Sequence, residues 1–244
     1  MSASPAMSTL AGDALYLGLD SSTQGLKATA ITKDCKIAHS FAINFAKDLP
    51  HYKLKNGVHA SEGNVVTQPT MMVRRRRPSS GRESFIFYFF HHVSLLNPPP
   101  LQFVEALDLL LTQMKSKGFP FTRVAAVSGS GQQHGSAYWK KGARAALAGL
   151  KAGAPLKAQL ADAFRLADSP IWMDSSTGAQ CAALEKALGG AQKVASISGS
   201  RAYERFTGNQ IAKVHAKDAA AYEGTERISL VRARAGRALG GAPP

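Results

Sequence analysis

Near the start of the chain, Asp20-Ser21-Ser22-Thr23-Gln24-Gly25-Leu26-Lys27 places a carboxylate at the end of an apolar run. Hydroxyls and a glycine follow before a second run begins. Backbone N–H groups and hydroxyls in such a turn can hold phosphate oxygens. The aspartate can meet a magnesium ion or its waters, since Mg²⁺ prefers hard oxygen ligands, and Lys27 can add positive charge. A polar hairpin turn has the same composition, so both readings stay open here. The two common nucleotide fingerprints are missing. There is no GxxxxGK[ST], and Gly129-Ser130-Gly131-Gln132-Gln133-His134 departs from GxGxxG at its last position.

Three further segments carry polar chemistry. Ser128-Gly129-Ser130-Gly131-Gln132-Gln133-His134-Gly135 follows an apolar run and presents two amides and an imidazole together, groups suited to hydrogen-bonding a polyol. A polar turn with a structural histidine is the alternative. Trp172-Met173-Asp174 is the next segment. The last, Gly199 to Gly208, contains Arg201 and Arg205, whose guanidinium forks could clamp an oxygen-rich ligand. Glu204 could equally pair with those arginines on a surface.

The elements that must position these groups follow from periodicity. Ala14–Leu19, Leu26–Thr32 and Lys36–Phe45 are short β-prone runs joined by tight polar turns, which predicts an antiparallel meander. Phe103, Leu107, Leu110, Leu111 and Met114 share one helical face, predicting a helix over Phe103–Lys117 that Gly118 and Pro120 end. Val124–Val127 and Gly135–Trp139 read as strands on either side of the glycine-rich segment. Lys140–Pro155 reads as a surface excursion and Leu156–Leu166 as a weaker helix. Ser169–Met173 reads as a strand, with Asp174 to Thr177 capping a helix that runs to Leu188. A meander followed by alternating helices and strands predicts an α/β domain with a mixed sheet.

Composition narrows the class. With 244 residues, 45% hydrophobic and 19% charged, the chain has material for one large or two small domains and is not a disordered polymer. Cys35 and Cys181 offer no disulfide framework or CxxC metal site, so a reducing, cytoplasmic setting is expected. No apolar run reaches the roughly 18–20 residues of a membrane span, and the N-terminus has neither a signal-peptide nor a transit-peptide pattern. The net charge of +14 suggests nucleic acid at first. Much of the excess, however, is confined to residues 73–102, with five arginines against Glu83, and to Arg232, Arg234 and Arg237. The rest is scattered, as on a solvated basic surface. Neither a nucleic-acid nor a membrane partner is therefore expected.

Residues 73–102 match neither flank. Arg74 to Arg77 lead into Phe85, Phe87, Tyr88, Phe89 and Phe90, then three prolines. A basic cluster beside an apolar patch can bind anionic lipid, arginines with aromatics can contact RNA, and an insertion without an evolved role is the third reading.

Taken in order, LGLDSSTQGLKATAI, SGSGQQHGSAYWKKGA, WMDSST, GSRAYERFTGNQIAK and TERISLV resemble the FGGY carbohydrate kinases, and their eukaryotic xylulose-kinase branch most. The resemblance covers about residues 15–72 and 103–231. It implies an actin-like, ribonuclease-H-like N-terminal domain with a mixed sheet flanked by helices. In the family, that domain and a second one close around ATP, Mg²⁺ and a ketose, here D-xylulose, and the γ-phosphate passes to a sugar hydroxyl. By this resemblance Asp20, Ser22, Thr23, Gln24 and Lys27 fall on the phosphate motif, with Asp20 facing the metal. His134 and Arg205 fall on sugar positions, and Asp174 on a neighbouring aspartate.

Family members are longer, and their general-base aspartate lies in a GDN-type motif that this sequence does not contain. A second domain is accordingly expected to be absent, and little or no turnover is expected of this chain. Removing residues 73–102 restores the family's junction as Met72-Phe103. Val73 and Gln102 suit the ends of an in-frame retained intron, since valine codons begin GT and one glutamine codon is CAG. The segment 232–244 has no counterpart in the resemblance and reads as an unstructured tail.

Overall fold

The computed structural model describes residues 14–56, 58–62, 65–69, 101–166 and 168–230. The expected insertion 73–102 lies outside the described residues except for Leu101 and Gln102, and so does the expected tail 232–244.

The meander forms as β1 (Leu15–Ser21), β2 (Gly25–Ile31) and β3 (Ile37–Asn44), each antiparallel to the next, and the single-turn helix α1 (Phe45–Asp48) follows it. Strict alternation makes β1 a half-buried strand: Leu15, Leu17 and Leu19 point inward, while Tyr16, Gly18 and Asp20 face out. A fourth strand, β6 (Val124–Gly131), runs parallel to β1 and completes a mixed sheet in the order β3-β2-β1-β6.

Helix α2 (Leu101–Ser116) lies against β2 and β3. It begins two residues before the expected start, so Leu101 and Gln102 form its first turn. Its most buried line is Ala106, Leu110 and Met114, each 0% exposed, whereas Phe103, Leu107 and Leu111 are only partly covered. The expected face is thus turned slightly, because α2 serves two cores. Val104 on its other side joins Trp139, Ala143, Leu160, Ala163 and Phe164 in a second cluster. Burying side chains such as Leu110 and Met114 contributes about 1.5–3 kcal/mol each.

Two carboxylates of α2 tie distant chain to this framework. Asp108 accepts from the backbone N–H groups of Leu156 and Lys157 at 2.9 and 2.8 Å, capping the single-turn α4 (Leu156–Gln159). Glu105 Oε2 accepts from Tyr52 Oη at 2.6 Å and Lys157 Nζ at 2.6 Å, and lies 3.0 Å from His51 Nε2. Burial alone would raise the Glu105 pKa, but donation from Lys157, then Tyr52 and His51, outweighs it and leaves the carboxyl below its ordinary value. Burial first, then Glu105, pushes the Tyr52 phenol upward.

Two small sheets complete the scaffold. The hairpin β4 (His59–Ser61) and β5 (Val65–Pro69) is joined by β8 (Asp168–Pro170), which is shorter than the expected strand over 169–173. β7 (Ser136–Lys140) pairs with β9 (Thr225–Leu230), not with the main sheet. The surface excursion contains a short helix, α3 (Ala143–Ala148), and the weaker helix shrinks to α4. α5 (Gly178–Ala187), α6 (Ala191–Ser198), α7 (Thr207–Lys217) and α8 (Ala219–Glu223) follow.

Candidate functional site

Asp20 ends β1 on its exposed face, and the turn after it is closed twice. The Ser22 backbone N–H and hydroxyl both donate to the Gly25 carbonyl, at 2.9 and 3.0 Å. Gly25 is required by proximity: a Cβ there would lie 2.4 Å from the Ile43 carbonyl oxygen of β3. β6 extends this end of the sheet, with the Gln132 N–H donating to the Ser21 carbonyl at 2.8 Å. The parallel register sets Ser130 opposite Asp20, and the Ser130 hydroxyl donates to Asp20 Oδ1 at 2.7 Å.

These groups border a hollow of about 430 Å³. Asp20, Ser22 and Thr23 line one side, Gly131 to His134 another, and Trp172 and Arg205 the rest. His134 holds a backbone φ of 33°, in the left-handed region that a non-glycine residue enters only at a cost. Its ring lies 5.3 Å from that of Phe206. Arg205 stands over Tyr203 at 5.0 Å and Phe206 at 6.0 Å, an aromatic bed that aims the guanidinium. Burial, then the Arg205 charge, lowers the His134 pKa, which keeps the imidazole neutral at neutral pH. A neutral imidazole, two amides, a guanidinium and hydroxyls together can bind a polyhydroxylated ligand next to an anion.

Asp20, Ser22, Thr23, His134 and Arg205 therefore meet around one hollow, from three separate stretches of chain. Gln24 does not line it. It borders an adjoining hollow of about 900 Å³, together with Ser22, Thr23, Lys53, Lys55, His59 and Trp172. Trp172 Nε1 donates to Thr23 Oγ1 at 3.0 Å, a bond that stands between the two spaces. Lys27 sits opposite Asp20 on β2 but is exposed and lines neither.

Asp174 was expected against substrate and is placed elsewhere. It is 2% exposed and lines neither hollow. Its carboxylate already accepts from the backbone N–H groups of Val66 and Ser176, the Ser176 hydroxyl and Gln210 Nε2. Nor does Thr177 cap α5 with its side chain, because that hydroxyl donates to the Glu204 carbonyl at 2.6 Å. Glu204 does not pair with the neighbouring arginines as ion partner, and Arg201 lies 3.8 Å from Glu185 instead. Sequence reasoning gave no role to Ser130 or Phe206. Ser130 was signalled only by its place in the glycine-rich segment after a predicted strand, and Phe206 carried no signal beyond its place beside Arg205.

No group of three or more His, Cys, Asp or Glu side chains that could hold a metal occurs among the described residues. Asp20 alone fits a nucleotide-borne Mg²⁺, because Ser130 engages one carboxylate oxygen and no described donor occupies Oδ2.

No family model matches the chain. It is, however, 44% identical over 241 residues to a xylulose kinase from Mus musculus, covering 98% of this chain. It is 43% identical over 226 residues to xylulose kinase 2 from Arabidopsis thaliana, covering 91% of this chain. Nearly the whole chain is therefore similar to one part of the xylulose kinases. It spans 38% of the mouse xylulose kinase and 35% of the Arabidopsis one. A solved xylulose kinase from Bifidobacterium adolescentis superposes with a TM-score of 0.54 at 16% identity, over 89% of this chain and 32% of that one. The mixed sheet and its flanking helices thus have the actin-like sugar-kinase fold.

Proposed function

We propose that this chain is the ketose- and nucleotide-phosphate-binding portion of a xylulose kinase, which transfers the γ-phosphate of ATP to D-xylulose. The observation that carries this reading is that Asp20, His134 and Arg205 line one hollow. ATP with Mg²⁺ would supply the phosphoryl group and the charge that neutralises it. Ser22 and Thr23 would hold phosphate oxygens with their hydroxyls, and Asp20 Oδ2 would face the metal. His134, neutral, would exchange hydrogen bonds with sugar hydroxyls, and Arg205 would fix the sugar's oxygens from the other side. Gln24 and Lys27 act here at most at longer range, on the turn and on its field.

Among the described residues Asp20 is the only carboxylate lining the hollow, and it would face the nucleotide's Mg²⁺, so no carboxylate there is left to take the proton from the sugar hydroxyl. We therefore propose binding with little or no turnover by this chain alone. We also retain as proposals one domain over 15–231 interrupted by 73–102, and a cytoplasmic setting. The second is supported by Cys35 and Cys181, which are both free. No described helix is long and apolar enough to cross a membrane.

Calorimetry of the purified chain with D-xylulose and with ADP–Mg²⁺ tests the reading. Saturable ketose binding lost in Arg205→Ala, together with nucleotide binding lost in Asp20→Asn, is expected. Absence of ketose binding by the parent chain overturns it.

A further inference from the structure

The buried carboxylate of Asp174 contributes nothing directly to the hollow, yet it connects two of its walls. An ionised carboxylate only accepts hydrogen bonds and offers about four lone-pair sites. Here four donors use them. Val66 N–H of β5 donates to Oδ2 at 3.1 Å, and Ser176 N–H, Ser176 Oγ and Gln210 Nε2 donate to Oδ1 at 3.0, 2.5 and 2.9 Å.

Toward one wall, the Asp174 N–H donates to the Ile171 carbonyl at 3.0 Å and closes a turn with Trp172 near its apex. Ile171 and Asp174 are 0% and 2% exposed, so the buried ends of the turn push Trp172, 45% exposed, out to the hollow. The start of this segment is already paired with β5, through Pro170 opposite Thr67. The Val66 bond ties its far end to the same strand. Toward the other wall, Gln210, 2% exposed, uses the same amide nitrogen to donate to Asp174 and to the Glu204 carbonyl, 3.0 Å away. Thr177 Oγ1 donates to that same carbonyl. Glu204 immediately precedes Arg205, so the clamp fixes the peptide from which the guanidinium springs.

We propose that Asp174 is a positioning residue for the ketose site, holding the Trp172 wall and the Arg205 wall at a fixed separation through Val66 on one side and Gln210 on the other. The ligand-binding part of this inference rests on the reading proposed above. The wall-positioning part does not.

The test uses the intact 244-residue chain and its two tryptophans. Trp172 is 45% and Trp139 8% exposed, so iodide quenching reports chiefly on Trp172 and needs no ligand. Asp174→Asn keeps an acceptor for Ser176 and Gln210 but turns an amide donor toward the Val66 N–H. It should increase the quenching constant and weaken D-xylulose binding about tenfold. Gln210→Leu should do the same from the other end, and Asp174→Glu should not rescue because its longer stem displaces the four contacts. Met114→Ala lowers stability in the core beneath α2, where it lines neither hollow, and should change neither readout. Unaltered quenching in both Asp174→Asn and Gln210→Leu overturns the proposal even if the parent chain binds no ketose. Altered quenching with unaltered ketose affinity overturns its link to the sugar.

Discussion

Ser130 and Asp20 stand opposite each other on the parallel neighbours β6 and β1, and the Ser130 hydroxyl donates to Asp20 Oδ1 at 2.7 Å. One carboxylate oxygen is thereby fixed while the other is left for a ligand. Ser130→Ala should lower ADP–Mg²⁺ affinity severalfold and shift stability by no more than about 1 kcal/mol, since the pair is exposed. Titration calorimetry beside thermal melts checks both, and an unaltered nucleotide affinity would count against the role of the bond.

The neutral state of His134 gives the ketose site a pH signature. Burial, and after it the Arg205 charge, holds the imidazole below its ordinary value of 6.5. Ketose affinity should therefore stay level as pH falls through 6.5 and decline only below it. In ligand-free Arg205→Gln the imidazole itself, followed by NMR, should titrate higher than in the parent but not fully back, because burial, the larger cause, remains. Measuring the dissociation constant between neutral and mildly acid pH decides. A decline centred at the ordinary value in the parent chain would remove the argument.

Acid stability should depend on Glu105. Its carboxyl is held below the ordinary 4.5, so its contribution is fully present above that value and is lost as pH falls through the lower folded value. Glu105→Gln should flatten this part of the acid limb and cost about 1–3 kcal/mol at neutral pH, by leaving the buried Tyr52 hydroxyl and Lys157 poorly satisfied. Urea melts across the acid range, parent against variant, provide the measurement.

Gly25→Ala forces a Cβ to within 2.4 Å of the Ile43 carbonyl oxygen, a backbone atom that cannot swing away. β2 and β3 must part locally, and a cost of about 1–3 kcal/mol is expected. Because Gly25 anchors the Ser22 turn, nucleotide binding should fall with stability, unlike the separable effects at Ser130. A melting temperature equal to the parent's would show that the close approach is not needed.

The meander was legible in the sequence because Leu15, Leu17 and Leu19 alternate with outward residues, a pattern that only a half-buried strand explains. The tight turn after β1 was legible because its closure, Ser22 onto Gly25, is local in sequence. Helix α2 was found but its face was misjudged. One helix packs on two cores, and periodicity alone cannot say that Val104 belongs to the second. The placement of Asp174 could not be read, because a carboxylate beside an aromatic looks the same in sequence whether it borders a hollow or, as here, is buried against Val66, Ser176 and Gln210. The pairing of β7 with β9 could not be read either. It joins segments that carry no mutual signal in the chain.

That last pairing governs when the domain can be finished. Ser136 bonds across to Leu230, and Trp139 Nε1 donates to Ser229 Oγ, 90 positions later. During synthesis the Trp139–Phe164 core must therefore wait, unsealed, until β9 clears the ribosome, whereas the β1–β3 ribbon can close as it emerges. A nascent chain stalled just short of Thr225 would offer chaperones an exposed indole that the completed chain conceals.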